Sequence, residues 1–239
     1  MRLAAMAAMM ALFAGGCGSA PRALGEHEDG AILFVVGALG DGPCYSGLRG
    51  GLASERRPTF TVGWGAPWPL GVFNLQNRWI HESAERRLAE LLRGLLEHEP
   101  PPRLVLVGHS AGCGVILGAL RRIPDQRRVQ TVVLLSPSVS PHYDLAPALA
   151  RVEGHMHVFH SDRDWLLRWR TRVFGTYDNV RVAAAGCGGF AADALPPELR
   201  EKLIQHPHLP QYAQLGNKGR HWGPVSRRFV AAVVAPAVF

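Results

Sequence analysis

Apolar residues in this chain fall into short runs separated by one long amphipathic stretch and by glycine- and proline-rich corners. Six segments read as strands: 31–36, 59–64, 103–108, 129–135, 156–160 and 180–185. Most are continuous and rich in valine and leucine, as strands covered on both faces must be. Ile80, Ala84, Leu88, Leu91, Leu92 and Leu95 recur at helical spacing, and the prolines at 100–102 stop that helix. Further helices are predicted from about Gly112 to Arg122, around Trp165 to Arg172 and at Phe229 to Val234, with one short helix near 146–152. Strands alternating with helices at this spacing predict an α/β fold. It should be a mostly parallel sheet of about six strands with helices on both faces and no large cap. In such sheets the working loops lie at the C-terminal ends of the strands.

One of those ends carries a distinctive turn. Leu104 to Val107 run into Gly108-His-Ser-Ala-Gly112, a G-x-S-x-G sequence between a predicted strand and a predicted helix. Glycines on either side of Ser110 permit a sharp corner that lifts the hydroxyl above the sheet edge. The first amides of the following helix then point at the same spot. A nucleophilic serine needs both exposure and positive dipoles where an oxyanion develops.

Such a serine also needs a base, and the base an orienting acid. The strand at 156–160 ends in Ser161-Asp-Arg-Asp164-Trp, which offers two carboxylates. Asp164 is preferred over Asp162 because it stands directly before an apolar helical start, where an aspartate can equally serve as an N-cap. For the base, His221 lies in Gly219-Arg-His-Trp-Gly223, after the last predicted strand; His206 and His208 sit among prolines in an expected surface segment. His109 is expected to point away from the serine. The oxyanion donors are expected to be the amide of Ala111 and, from Val36-Gly-Ala-Leu-Gly40 after the first strand, that of Ala38, with Leu39 as the alternative. The apolar loop at 63–79, with Trp64 and Trp68, could line an acyl pocket together with Leu39, or it could simply be packing.

The N-terminus changes the picture of where the protein acts. Arg2 precedes an apolar, alanine- and methionine-rich run to Ala14, too short to span a bilayer stably but suited to an export signal. Ala14-Gly-Gly-Cys17 then resembles a bacterial lipoprotein signal. That resemblance implies acylation of Cys17 and a membrane anchor at the cell envelope, with plain secretion as the alternative. The organisation read from this is an export signal over 1–16, a tether over 17–29 and a single domain over 30–239. The formal charge is +7, almost all of it from arginines scattered along the chain. A solvated surface follows; no nucleic-acid-binding motif accompanies it. Cys44 and Cys187 could pair in an oxidising compartment, Cys113 is expected to be buried, and the spacing suits no zinc site.

From about residue 30 onward, the Gly-His-Ser-Ala-Gly turn, Ser-x-x-Asp-x-x-Leu at 161–167 and the late Gly-x-His-Trp-Gly are similar to the α/β-hydrolase superfamily of serine esterases, lipases, thioesterases and peptidases. Two departures stand out. Val36-Gly37 replaces the family's usual His-Gly, and its first two strands are missing. The resemblance implies hydrolysis of a small acyl ester, or a thioester or amide, through acyl-Ser110, with no metal and no organic cofactor. Two alternatives accompany it: a catalytically silent envelope binding module on the same fold, and acyl transfer by the same three residues.

Overall fold

A computed structural model describes residues 30–53, 57–66, 70–97 and 103–238. The export signal, the tether, Cys17 and Trp68 lie outside these residues.

Strands β1 (Ala31–Val35), β2 (Thr59–Val62), β3 (Leu104–His109), β4 (Thr131–Leu135), β5 (Met156–His160) and β6 (Leu203–Pro207) form one sheet in the order β2-β1-β3-β4-β5-β6. Every pairing is parallel. Four longer helices connect or flank them: α1 (Ser46–Leu52), α2 (Arg78–Leu96), α3 (Ala111–Leu120) and α4 (Trp165–Phe174). Helix α2 packs on α3, while α1 packs against the C-terminal helical residues 227–234, so that both faces of the sheet are covered. This explains why β1, β3 and β4 consist of buried residues throughout. With helices on each side, no position along those strands faces water.

The α2–α3 contact is closer than side chains ordinarily permit, because a glycine stands at the crossing. A Cβ added at Gly118 would lie 2.2 Å from the Glu85 carboxyl carbon. Glu85 is buried there, and it is matched by an ion pair with Arg122 (2.6 Å) and a hydrogen bond donated by Tyr177 (2.9 Å). Burial still raises its pKa, with Arg122 opposing.

One strand lies elsewhere than the pattern predicts. Residues 180–185 form no strand; the amides of Ala185 and Gly186 donate to the loop carbonyls of Val139 and Pro137, and Ala185–Gly188 make a single helical turn. The free edge of β5 is taken instead by Leu203–Pro207, with His206 opposite Phe159. An edge strand is covered less completely, so its residues are half-buried and of mixed polarity. The alternation and the continuous apolar runs that reveal inner strands are both missing there. Helix α1 is likewise absent from the sequence reading. Its sequence, Ser-Gly-Leu-Arg-Gly-Gly-Leu, is glycine-rich and helical because Gly47 and Gly51 allow contact with the backbone and side chains of 225–230.

The strand order reverses between β1 and β3. In open α/β sheets, ligands bind in the crevice at such a switch point, beyond the C-terminal ends of the strands. The chain leaves β1 through the turn 37–40 and leaves β3 through Ser110. Both segments border this crevice.

Candidate active site

Ser110 has φ +55° and ψ −122°, a conformation that side-chain-bearing residues rarely adopt. Strain of this kind costs on the order of 1–3 kcal/mol and persists only where neighbours enforce it. Here the Ser110 amide donates to Leu135 O (3.0 Å), while its carbonyl accepts from Ser138 (3.2 Å) and Cys113 (3.2 Å). Gly112 is required for a steric reason: a Cβ at that position would lie 2.4 Å from both Val35 O and Val36 O. The start of α3 is thereby pressed against the exit of β1. The helix begins at Ala111, whose amide has no acceptor within the helix.

Three side chains from three loops meet at this corner. His221 Nε2 lies 3.1 Å from Ser110 Oγ, and His221 Nδ1 lies 2.8 Å from Asp164 Oδ2. Asp164 is fully buried and His221 nearly so. The other carboxylate oxygen of Asp164 accepts the Leu167 amide (3.0 Å), so this residue also caps α4. Asp162 is exposed and contributes its backbone carbonyl to Arg168 (2.7 Å) rather than a carboxylate to His221. The loop bearing His221 is seated on the loop bearing Asp164. Gly219 (φ +79°) comes so close that a Cβ would lie 2.7 Å from Ser161 Oγ.

A second hydrogen-bonded path runs behind these residues, and its polarity is fully determined. His109 is entirely buried, and desolvation, with His221 adding to it, lowers its pKa to about 3. It is therefore neutral. Its Nε2–H donates to the His221 carbonyl (3.0 Å), so Nδ1 must accept, and the donor is Tyr45 OH (2.9 Å). The Tyr45 oxygen in turn accepts the Gly37 amide (2.9 Å). The base loop, the serine corner and the turn after β1 are thus tied together through one imidazole and one phenol. His109 does point away from the serine as expected. No local pattern announces its partners, because Tyr45 stands at the end of a single helical turn before α1.

The turn itself is closed by Gly40 N–H to Gly37 O (3.1 Å), with Ala38 and Leu39 as its central residues. Asn74 holds it from the side: its Nδ2 donates to Ala38 O (2.7 Å) and Ala66 O (2.8 Å), and its Oδ1 accepts the Ala66 amide (2.8 Å). Asn74 is completely buried, and nothing in the local pattern distinguishes it from a loop asparagine. Ala38 is buried and Leu39 is 38% exposed on the rim. Trp64 is packed inside. It is buried, its indole donates to Val36 O (2.7 Å), and its ring meets those of His81 and Tyr177 edge-on. The packing alternative describes it, since an indole N–H under cover needs an acceptor and finds one at the strand end.

Arg170, on α4, escaped the sequence reading because it is one of several arginines on that helix. Its guanidinium is largely buried and donates to Ser138 Oγ (2.7 Å). Burial lowers its pKa, while the neighbouring Asp164 opposes the shift. Cys44, Cys113 and Cys187 are free thiols, and burial raises Cys187 to about 11. Among the described residues, no group of three or more histidines, cysteines or carboxylates is arranged to hold a metal ion.

A six-stranded parallel sheet covered on both faces, with a serine in a strained strand-to-helix corner, is the α/β-hydrolase fold. No protein-family model matches the sequence, and no curated protein matches it. Among solved structures, the ydeN gene product from B. subtilis is similar at 16% identity and a TM-score of 0.51, covering 86% of this chain and 97% of that one. A hydrolase of the alpha/beta superfamily from Xanthomonas campestris matches at 14% identity and a TM-score of 0.46, over 86% of this chain and 98% of its own. A carboxylesterase, CesB, from Bacillus subtilis matches at 12% identity and a TM-score of 0.40, over 87% and 84%. These likenesses concern the fold.

Proposed function

We propose that the protein is a serine hydrolase that cleaves carboxylic esters through an acyl-Ser110 intermediate, and that thioesters and amides fall within reach of the same chemistry. The observation that carries this reading is the unbroken hydrogen-bonded path from Ser110 Oγ through His221 to the buried Asp164 carboxylate. With Asp164 accepting from Nδ1–H, the Nε2 lone pair faces the serine hydroxyl, which is the tautomer a general base requires. Ser110 Oγ attacks the substrate carbonyl as His221 Nε2 takes its proton. The tetrahedral oxyanion is received by the amides of Ala111 and Ala38, and loss of one such donor costs on the order of 3 kcal/mol in barrier height. Collapse of the intermediate expels the alcohol, which leaves with the proton from His221. Water, deprotonated by the same imidazole, then releases the acid and restores Ser110. The proposed substrate contact on the rim is Leu39, with Trp68 as a further candidate.

A fluorophosphonate probe tests the assignment. Stoichiometric labelling is expected in the native protein and none in Ser110→Ala. A folded native protein that takes no label would favour the silent binding module. Export and lipidation at Cys17 belong to the same proposal. Metabolic incorporation of a labelled fatty acid, absent from Cys17→Ser, is the expected result, and equal incorporation in both would remove the anchor.

A further inference from the structure

Helix α4 turns an unusual surface to solvent. Of its ten residues, Leu167 and Thr171 are the buried ones. Trp165 (64% exposed), Trp169 (57%), Phe174 (50%) and Val173 (44%) stand outward, with Leu166 beside them. Soluble proteins expose single large apolar residues routinely, but two tryptophans with three further apolar side chains on one short helix require a partner. Trp169 and Phe174 meet edge-on at 5.9 Å, so the face is continuous rather than scattered.

Its charged residues are all of one sign. The helix contains Arg168, Arg170 and Arg172 and no acidic residue, and Arg163 precedes it. Trp165, Arg168, Trp169, Arg172 and Val173 line a groove of about 510 Å³. Two guanidiniums beside two indoles match the two layers of a lipid headgroup region. The arginines meet phosphate oxygens, and the tryptophans occupy the boundary between headgroups and acyl chains. Further exposed apolar residues lie in the segment hydrogen-bonded to the end of the helix. Gln76 donates to the Phe174 carbonyl, which brings the neighbouring segment alongside, with Phe73 62% and Leu70 47% exposed.

We propose that this face seats the protein on an anionic lipid bilayer, with α4 lying in the plane of the interface. A helix of ten residues is too short to cross a bilayer, and among the described residues no helix is long and apolar enough to do so. Two-fold pairing with a second copy would bring the same positively charged face together from both molecules, and that repulsion disfavours that occupant. Because Asp164 both caps α4 and bonds His221, the docked helix would bring the lipid surface to the rim of the crevice.

Vesicle binding by the full chain tests this. Co-sedimentation with vesicles of phosphatidylcholine containing phosphatidylglycerol should exceed that with phosphatidylcholine alone. Arg168→Glu/Arg172→Glu should lower partitioning by at least about tenfold. Brominated lipids provide a second measurement that is independent of any contribution from the N-terminal residues. They should quench tryptophan emission in the native protein, and Trp165→Phe/Trp169→Phe, which keeps the face apolar, should remove most of that quenching. Quenching or partitioning unaffected by these pairs of substitutions would overturn the proposal. A lipid-free dimer that Trp165→Ser/Trp169→Ser dissolves would also overturn it, in favour of a second copy. The docking does not depend on the hydrolase reading, since Ser110→Ala is expected to bind vesicles like the native protein.

Discussion

Asp164→Asn is expected to lower kcat on a p-nitrophenyl ester by about 10⁴-fold while the thermal midpoint shifts little. Asparagine is as good an N-cap as aspartate, so its side-chain oxygen can still accept the Leu167 amide. What it cannot do is accept from His221 Nδ1–H as well, because its single oxygen is taken by that amide. An amide NH₂ facing the ring favours the tautomer with the proton on Nε2, and a protonated Nε2 cannot take the serine proton. Asp164→Ala removes both roles and should cost about 1 kcal/mol of stability in addition. Asp162→Asn, at an exposed carboxylate, should change kcat little. Steady-state kinetics and melting curves on the three variants separate these outcomes. A kcat for Asp164→Asn within tenfold of the native value would remove Asp164 from the proton relay.

Acid is expected to destabilise the fold through His109. Its pKa is about 3 in the folded protein, against 6.5 for a free side chain. Between those values the unfolded chain binds a proton that the native state excludes. Stability contributed by the neutral buried ring is therefore complete above about pH 6.5 and is lost as pH falls toward 3. At pH 4.5 the loss is about 2–3 kcal/mol from this group alone. His157, lowered to about 4 by burial and by His206 and His155, adds a loss of the same sign over an overlapping window. Urea unfolding at pH 7.5 and 4.5 measures the effect. His109→Asn should show a smaller difference between the two pH values, and an unchanged difference would assign the acid sensitivity elsewhere.

Much of the architecture was legible because it rests on local patterns. Residues 31–36, 103–108 and 156–160 read as strands because continuous apolar runs follow directly from cover on both faces. The corner at 108–112 was legible for a related reason: glycines flank a residue whose backbone must be strained, and the serine between them lies at a strand end. The order Ser110, Asp164, His221 could likewise be read along the chain, since each residue follows a strand or the last strand's loops. Where two carboxylates competed, the helical start at Trp165 favoured Asp164, and the capping and acceptor roles proved to be compatible because a carboxylate has two oxygens.

Other features depended on contacts between segments far apart in sequence. The sixth strand is an edge, so Leu203–Pro207 lacks the burial that would give it a periodic signature, while 180–185 has the pattern without a partner strand. For Trp64 the sequence left pocket and packing open; its N–H is committed to Val36 O. Nothing in the neighbourhood of Tyr45, Asn74 or His109 announces a role; they become a support for the site only when β1, α1 and the His221 loop converge. The exposure of Trp165 and Trp169 was equally invisible, because an apolar helix reads as core until its packing is known. The chain itself therefore determined which backbone segments are strands and helices and which side chains stand at their ends, since those depend on neighbours a few residues away. Only tertiary structure decided which of those ends meet, what holds them and which apolar face was left uncovered, because such contacts join residues whose separation along the chain carries no periodic signal.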